Sequence, residues 1–406
     1  MVMALSYQSK TSGIGGTIKS RSEDFIVEEI SSDGSIFEID KNITHADENG
    51  KFTHFILQKK NWSTSSALDE LGKRLGVGKK SLAFAGTKDK IAISAQLASV
   101  FNVPKEKLFS VRIKDIQING AWCEKDKVRL GQLLGNQFTI RVDQPTGNTD
   151  QVKSIMTELD GKFPNYFGEQ RFGSSRKNTH LIGEQIIRGD IEAAVRLFLC
   201  DTIGEKNADA SAARKEFEDS WDCHSALKNY PKHLRLERTM LAYLEKHPAN
   251  YPNALRALPR TTLLLFVHAF QSDLFNRFLS DRINKGELEL EQGEYYCGET
   301  FGFPDISKSE AEGWIVGKLI GYQSPINDRE KEMLENIGID KEDFKIKQIP
   351  EIASKGTYRT LHALLKNFNF TNNFVFRFSL QAGSYATVAM REFLDMEKQL
   401  KKRKKA

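Results

Sequence analysis

The run Ser81-Leu82-Ala83-Phe84-Ala85-Gly86-Thr87-Lys88-Asp89-Lys90-Ile91-Ala92 reads as a short strand opening into a turn. Leu82 and Phe84 alternate with smaller residues, as side chains on the buried face of a strand do. Gly86 permits a sharp turn, so Asp89 is expected to emerge on a loop between Lys88 and Lys90. Neighbouring cations would keep a carboxylate there ionised, which suits a nucleophile or a base. The same residues, Gly86 to Lys90, also fit an exposed basic turn, in which an aspartate more often faces solvent than substrate.

Outward from this run the periodicity is clear in several places. Asp24 to Ile30 and Gln137 to Val142 read as strands. Near the end, Phe374, Phe376, Phe378 and Leu380 alternate with Val375, Arg377 and Ser379, which puts four large apolar groups on one strand face. Thr64-Ser65-Ser66 is expected to cap a helix whose first turn carries Asp69 and Glu70; Leu68, Leu71 and Leu75 share one face and Gly76 ends it. A longer helix is predicted from about Thr262 to Ile283, with Val267, Phe270, Leu274 and Phe278 on one stripe and Gly286 just beyond. From about Asp190 to Ser354 the chain becomes helix-rich and polar, while the flanks carry most strand signals. That texture predicts a domain inserted into a loop of another domain, with parts 1–190, 191–355 and 356–406.

Composition bounds the class of protein. A chain of 406 residues that is 39% hydrophobic exceeds one core of ordinary size, so two domains are expected. No apolar run reaches the roughly eighteen residues a spanning helix needs, and the first sixteen residues lack a signal-peptide pattern, so a cytoplasmic protein without membrane attachment is expected. Cys123, Cys200, Cys223 and Cys297 are scattered without metal-ligand spacing, so reduced packing residues and no metal are expected. The net charge is only +5, from 59 basic and 54 acidic residues, but the cations cluster at Lys79-Lys80, Lys88-Lys90, Arg171, Arg176-Lys177 and in the block Lys398 to Lys405. Such clusters attract phosphate, because neutralising it releases condensed counterions; the terminal block also fits a solvated tail.

A second constellation is Pro164-Asn165-Tyr166-Phe167-Gly168-Glu169-Gln170-Arg171-Phe172-Gly173. Aromatic rings stack on an unpaired base, amides read its polar edge, and glycine admits a phosphate backbone. A tightly turning core segment would have the same composition.

At five separated places, in order, the sequence resembles the TruD family of pseudouridine synthases. These are Ile18-Lys19 with Glu23 to Val27; Gly86-Thr87-Lys88-Asp89-Lys90 through Gln96; Leu130-Gly131 and Gly135 to Phe138 with Asn165 to Gly173; His268 to Ser272 with Leu274 to Asn276 and Arg282; and Gly356 to Arg359 with Gly383 to Thr387 through Arg391-Glu392. The likeness spans residues 17 to 394. It implies an α+β fold: a catalytic domain with a mixed, largely antiparallel sheet, interrupted by an inserted α+β TRUD domain, with RNA in a basic cleft.

The resemblance further implies that a uridine in tRNA is isomerised by a monomer without metal or organic cofactor. The glycosidic bond breaks, the base rotates, and a carbon–carbon bond forms. Asp89 would be the nucleophile, attacking either the ribose anomeric carbon or the uracil ring. Phe25, Asn165 and Tyr385 would surround the flipped base, Lys19 would stand near the carboxylate, and Phe167 would pack beside it. Lys88 and Arg171 are further substrate-binding candidates. Position 13 in the D arm is the favoured uridine and a precursor-tRNA anticodon uridine the second. Departures from the family pattern are Ser94 for Thr, Phe270 and Asp273 for tyrosines, and Tyr385 for Phe; the middle pair bears on RNA contacts of the inserted domain. Two other readings compete: a catalytically silent RNA-binding or chaperone module, and a hydrolase using Glu28 and Glu29. The hydrolase fails on geometry, because adjacent strand residues point to opposite faces.

Overall fold

The computed structural model describes residues 5–173 and 175–395; the basic block Lys398 to Lys405 lies outside them. The chain divides into two compact units. One is built mainly from Tyr7–Asn165, Glu299–Asp305 and residues 362–395, the other from Tyr166–Gly298 and Ile306–Leu361. These divisions differ from the expected 190/191 and 355/356. The first falls earlier because helices Thr179–Arg188 and Ile191–Cys200 bury Ile182, Ile186, Val195 and Phe198 in the same core as the long helix Arg260–Lys285.

The first unit is organised by a mixed sheet. Its strands include β1 (Phe25–Ile30), β2 (Phe52–Lys60), β3 (Leu82–Phe84), β4 (Ile93–Phe101), β5 (Ile116–Glu124) and β6 (Gly135–Arg141). The order is Lys366–Phe370, Val375–Gln381, β6, β1, β4, β2, β5, with β3 also on β4. Among the described residues β1 and β4 pair in parallel and the other pairs of this sheet are antiparallel. This is the α+β fold with a mixed, largely antiparallel sheet that the sequence led us to expect. Alternation along β2 separates the faces. Phe55 and Leu57 join Ala98, Val100 and the apolar stripe Ala67, Leu68, Leu71 and Leu75 of helix α1 (Thr64–Leu75), whereas Ile56 joins Ala95, Leu97 and Trp122 on the other side. In Val375–Gln381, Phe376, Phe378 and Leu380 are fully buried as predicted, while Phe374 stands outside the strand at φ 53°.

The cap of α1 differs from expectation. Ser63 is the N-cap, its hydroxyl accepting the Ser66 N–H at 3.1 Å, and Asp69 and Glu70 lie beyond the first turn. Thr64 is therefore the first helical residue, which frees its hydroxyl for another task. Gly76 ends the helix in the left-handed region at φ 73°.

The second unit is mostly helical. Its core gathers Phe266, Val267, Phe270 and Leu274 of Arg260–Lys285 with Leu241, Leu244, Phe344 and their neighbours. Gly183 is required here, because a Cβ would meet the Phe266 carbonyl oxygen at 2.0 Å; its absence lets two helices touch backbone to backbone. Among the described residues no helix is long and apolar enough to cross a membrane.

Candidate active site

The site begins with a change of partner on β4. Along one edge β4 pairs with β2 throughout, from Phe101 opposite Phe52 to Ile93 opposite Lys60. Along the other edge Ile93, Ser94 and Ala95 pair with β1, and Ala98, Ser99 and Val100 pair with β3. At the break, the Leu97 N–H donates to Glu29 Oε1 at 3.0 Å, which satisfies a buried donor that no strand reaches. The other oxygen of Glu29 takes the Lys88 ammonium at 2.5 Å, with both side chains at most 3% exposed. Glu28 points the other way, accepting from Gln137 Nε2 at 2.6 Å and the Ile39 N–H at 3.1 Å. Adjacent carboxylates on opposite faces are what strand geometry dictates, and they cannot flank one bond.

The loop after β3 is tied down at successive residues. The Gly131 N–H donates to the Ala85 carbonyl at 2.7 Å, and Gln96 Nε2 donates to the Gly86 carbonyl at 2.8 Å. Thr64 Oγ1 accepts the Lys88 N–H at 2.9 Å and donates to Gln96 Oε1 at 2.9 Å. Lys59 Nζ donates to the Asp89 carbonyl at 2.9 Å. Gly86, expected to supply conformational freedom, stays out of the left-handed region, and a Cβ there would meet Lys88 Nζ at an ordinary 3.6 Å. Side chains from α1, β2 and β4, rather than a glycine turn, hold the loop.

This frame presents Asp89. Its side chain is 30% exposed, and Oδ2 receives the Lys19 ammonium at 2.5 Å. Lys19 adopts φ 62°, uncommon for a residue with a Cβ, and its Nζ lies 4.2 Å from the centroid of the Phe25 ring. Phe25 is buried, edge-on to Phe138 at 6.0 Å. Two ammonium groups thus face Asp89, Lys19 at the carboxylate and Lys59 at the carbonyl. Burial, opposed by Asp89 and aided by Lys88, brings the Lys59 ammonium down to about 8 from its ordinary 10.5. Lys88, expected beside the substrate, is turned into the sheet instead; its charge is matched by Glu29, and only Lys90 of the flanking pair is solvent-exposed.

Asn165 is buried in this same unit and accepts the Ser384 hydroxyl at 2.9 Å; Tyr385, half-buried, follows as the N-cap of helix Ala386–Leu394. Phe167 and Arg171 belong to the other unit. The Phe167 N–H donates to Asn276 Oδ1 at 2.8 Å, and Asn276 Nδ2 donates back to its carbonyl at 3.0 Å. The Arg359 guanidinium lies 4.1 Å from that ring's centroid, and Arg171 stands 5.7 Å from it while Nε donates to Ser272 Oγ at 3.2 Å. Phe270 and Asp273, the departures from the family pattern, are both buried, Phe270 against Phe344. Among the described residues no cluster of His, Cys, Asp or Glu is arranged to hold a metal ion.

Of the supports, Lys59 escaped the sequence reading, while Thr64, Gln96 and Glu29 entered it in other roles. A signal existed for two of them: Lys59 continues the core-facing series Phe55, Leu57, and Gln96 precedes Ala98 and Val100 on the same face.

Residues 2–393 match the family model described as tRNA pseudouridine synthase D (TruD). The protein of Thermococcus sibiricus named "Probable tRNA pseudouridine synthase D" is 35% identical, covering 96% of this chain and 97% of its own. A protein from Methanocaldococcus jannaschii, named as number 1 of that type, is 35% identical over 94% of this chain and 96% of its own. The crystal structure of a TruD protein from Methanosarcina mazei superposes with a TM-score of 0.75 at 31% identity, covering 98% of each chain. The α+β fold with its mixed sheet is thus that of a pseudouridine synthase of this type. The chain belongs to the TruD family, isomerases that act on a uridine of tRNA.

Proposed function

We propose that this protein converts a uridine of tRNA to pseudouridine, with Asp89 as nucleophile on a base rotated out of its helix. The favoured target is position 13 in the D arm, and the protein works as a cytoplasmic monomer without metal or organic cofactor. The unit carrying Asp89 is the catalytic domain, and the helical unit is the inserted TRUD domain. The observation that supports this reading is a partly exposed carboxylate in contact with Lys19, on a loop whose main chain is bonded at residues 85, 86, 88 and 89. That rigidity suits a nucleophile, because a reacting atom misplaced by about 1 Å can lose roughly 100-fold in rate.

The chemistry balances without a redox partner. Attack by an Asp89 oxygen on the anomeric carbon breaks its bond to uracil N1, and the electron pair stays with the base. After rotation, C5 of uracil displaces the carboxylate; the C5 proton departs and N1 takes up a proton. Attack on the uracil ring leads to the same product. Lys19 holds the carboxylate in position, and Asn165 and Tyr385 are proposed to bound the extruded base, whose extraction from a stack takes about a few kcal/mol. Phe25 shapes the floor through Lys19, and Phe167 and Arg171 are proposed to contact the RNA. Lys88 becomes a support for the loop instead of a phosphate ligand.

The test is modification mapping on tRNA transcripts with wild type, Asp89→Ala and Asp89→Asn. Expected are product with wild type alone, tRNA affinity altered by only about a few fold because phosphate contacts dominate it, and loss of product when uridine 13 is replaced. Product from Asp89→Ala would reject the nucleophile. Tight tRNA binding with no turnover by wild type would favour the silent RNA-binding module.

A further inference from the structure

Two of the buried lysines among the described residues come with carboxylates. Lys88 meets Glu29 at 2.5 Å, and Lys318 meets Glu330 at 2.8 Å with both side chains 1% exposed. Lys59 is the contrast. It is fully buried, and among the described residues its Nζ makes its hydrogen bond to a main-chain oxygen, the carbonyl of Asp89. An ammonium carries three donors and loses much of its hydration on burial. Directly across from Lys59 in the β2–β4 register stands Ser94, whose side chain therefore lies on the same sheet face. The Ser94 hydroxyl is buried without a hydrogen-bond partner. Two under-bonded polar groups side by side, at a strand position where Phe55 and Leu57 are apolar, weaken a core. They stand behind the residue that reacts.

We propose that Lys59 is a positioning residue for the isomerisation, fixing the Asp89 main chain to the sheet so that the carboxylate stands where Lys19 and the uridine meet it. This rests on the reading of Asp89 as nucleophile. The groups facing Lys59 agree: Asp89 attracts it, and Lys88, its charge matched by Glu29, repels it weakly. β2 is paired on both edges, with β4 and β5, so the ammonium is held on one of the least mobile elements of the unit. Lys59 is fully buried, so a phosphate at the surface is out of its reach. Its removal is therefore expected to alter turnover and leave tRNA binding unchanged.

The experiment uses the full-length enzyme and a tRNA transcript, comparing wild type, Lys59→Met, Lys59→Gln and Asp89→Asn for kcat, KM and thermal midpoint. Lys59→Met keeps the length and apolar stem but has no donor; it is expected to lose roughly 10- to 100-fold in kcat, with KM within about two-fold and an unchanged or higher midpoint. Lys59→Gln, which can donate to the carbonyl, is expected to recover part of the rate. Retention of wild-type kcat by Lys59→Met alongside an inactive Asp89→Asn would overturn this inference and leave the nucleophile standing. A midpoint that falls in step with activity, with no recovery in Lys59→Gln, would also overturn it, as the mark of a structural lysine. An active Asp89→Asn would remove the reading on which the inference rests.

Discussion

At the scale of the residue, the candidate site is a matter of which lysine faces which acid. Lys19, Lys59 and Lys88 converge on one loop, yet each does something different: one touches the Asp89 carboxylate, one its carbonyl, and one neutralises Glu29. Breaking a buried pair by removing one partner leaves an uncompensated charge, worth about 3–5 kcal/mol. Lys88→Met should therefore destabilise the protein by that amount, read from denaturant unfolding. Adding Glu29→Gln should restore most of the loss, because the glutamine carbonyl still accepts the Leu97 N–H. Lys59 gives a pH signature of opposite character. Its folded value of about 8 lies below the ordinary 10.5, so between the two the unfolded chain holds a proton that the folded chain has released. Stability contributed by this group is full above 10.5 and lost as pH falls through 8. Any advantage in thermal midpoint of Lys59→Met over wild type should thus be largest below pH 8 and shrink towards pH 10.5.

At the scale of the element, α1 and β4 carry a double duty. Ser63 caps the helix, and the next residue, Thr64, links the Lys88 N–H to Gln96. The two hydroxyls should therefore separate cleanly by mutation. Ser63→Ala is expected to lower stability by about 1 kcal/mol with little change in turnover, whereas Thr64→Val should lower kcat by about ten-fold or more, because the loop loses a tie at Lys88 and Gln96 loses its anchor. Equal effects of both on kcat would show that the helix end, not the Thr64 hydroxyl, governs the loop. Much of this level was legible beforehand: the α1 stripe, the long helix and the strands around Val27, Phe138 and Phe378 follow from periodicity alone. The cap was misread by one residue, because Ser63 and Thr64 are both good caps and burial of the Thr64 hydroxyl against Gln96 is a long-range fact.

At the scale of the whole molecule, the net charge rests on the C-terminal block. Six of the 59 basic residues, Lys398, Lys401, Lys402, Arg403, Lys404 and Lys405, belong to the terminal block, one more than the net charge of +5; the rest of the chain is net negative by one. Deleting 398–406 should weaken tRNA binding mildly and make the dependence of log affinity on log salt shallower, since fewer counterions are released. An unchanged salt slope would assign the block to a solvated tail.

The sequence by itself determined the family and the fold class and singled out Asp89 as the candidate, because each is carried by local order: apolar alternation and short motifs in a fixed sequence. It also carried Lys19, through resemblance. Only the tertiary structure decided that Lys88 turns inward, that Lys59 turns towards Asp89, and that Phe270 and Asp273 are core residues. The first depends on which strand edge is left open, here the gap on β4 between β1 and β3 that Glu29 fills, and the others likewise on segments distant in sequence having packed together.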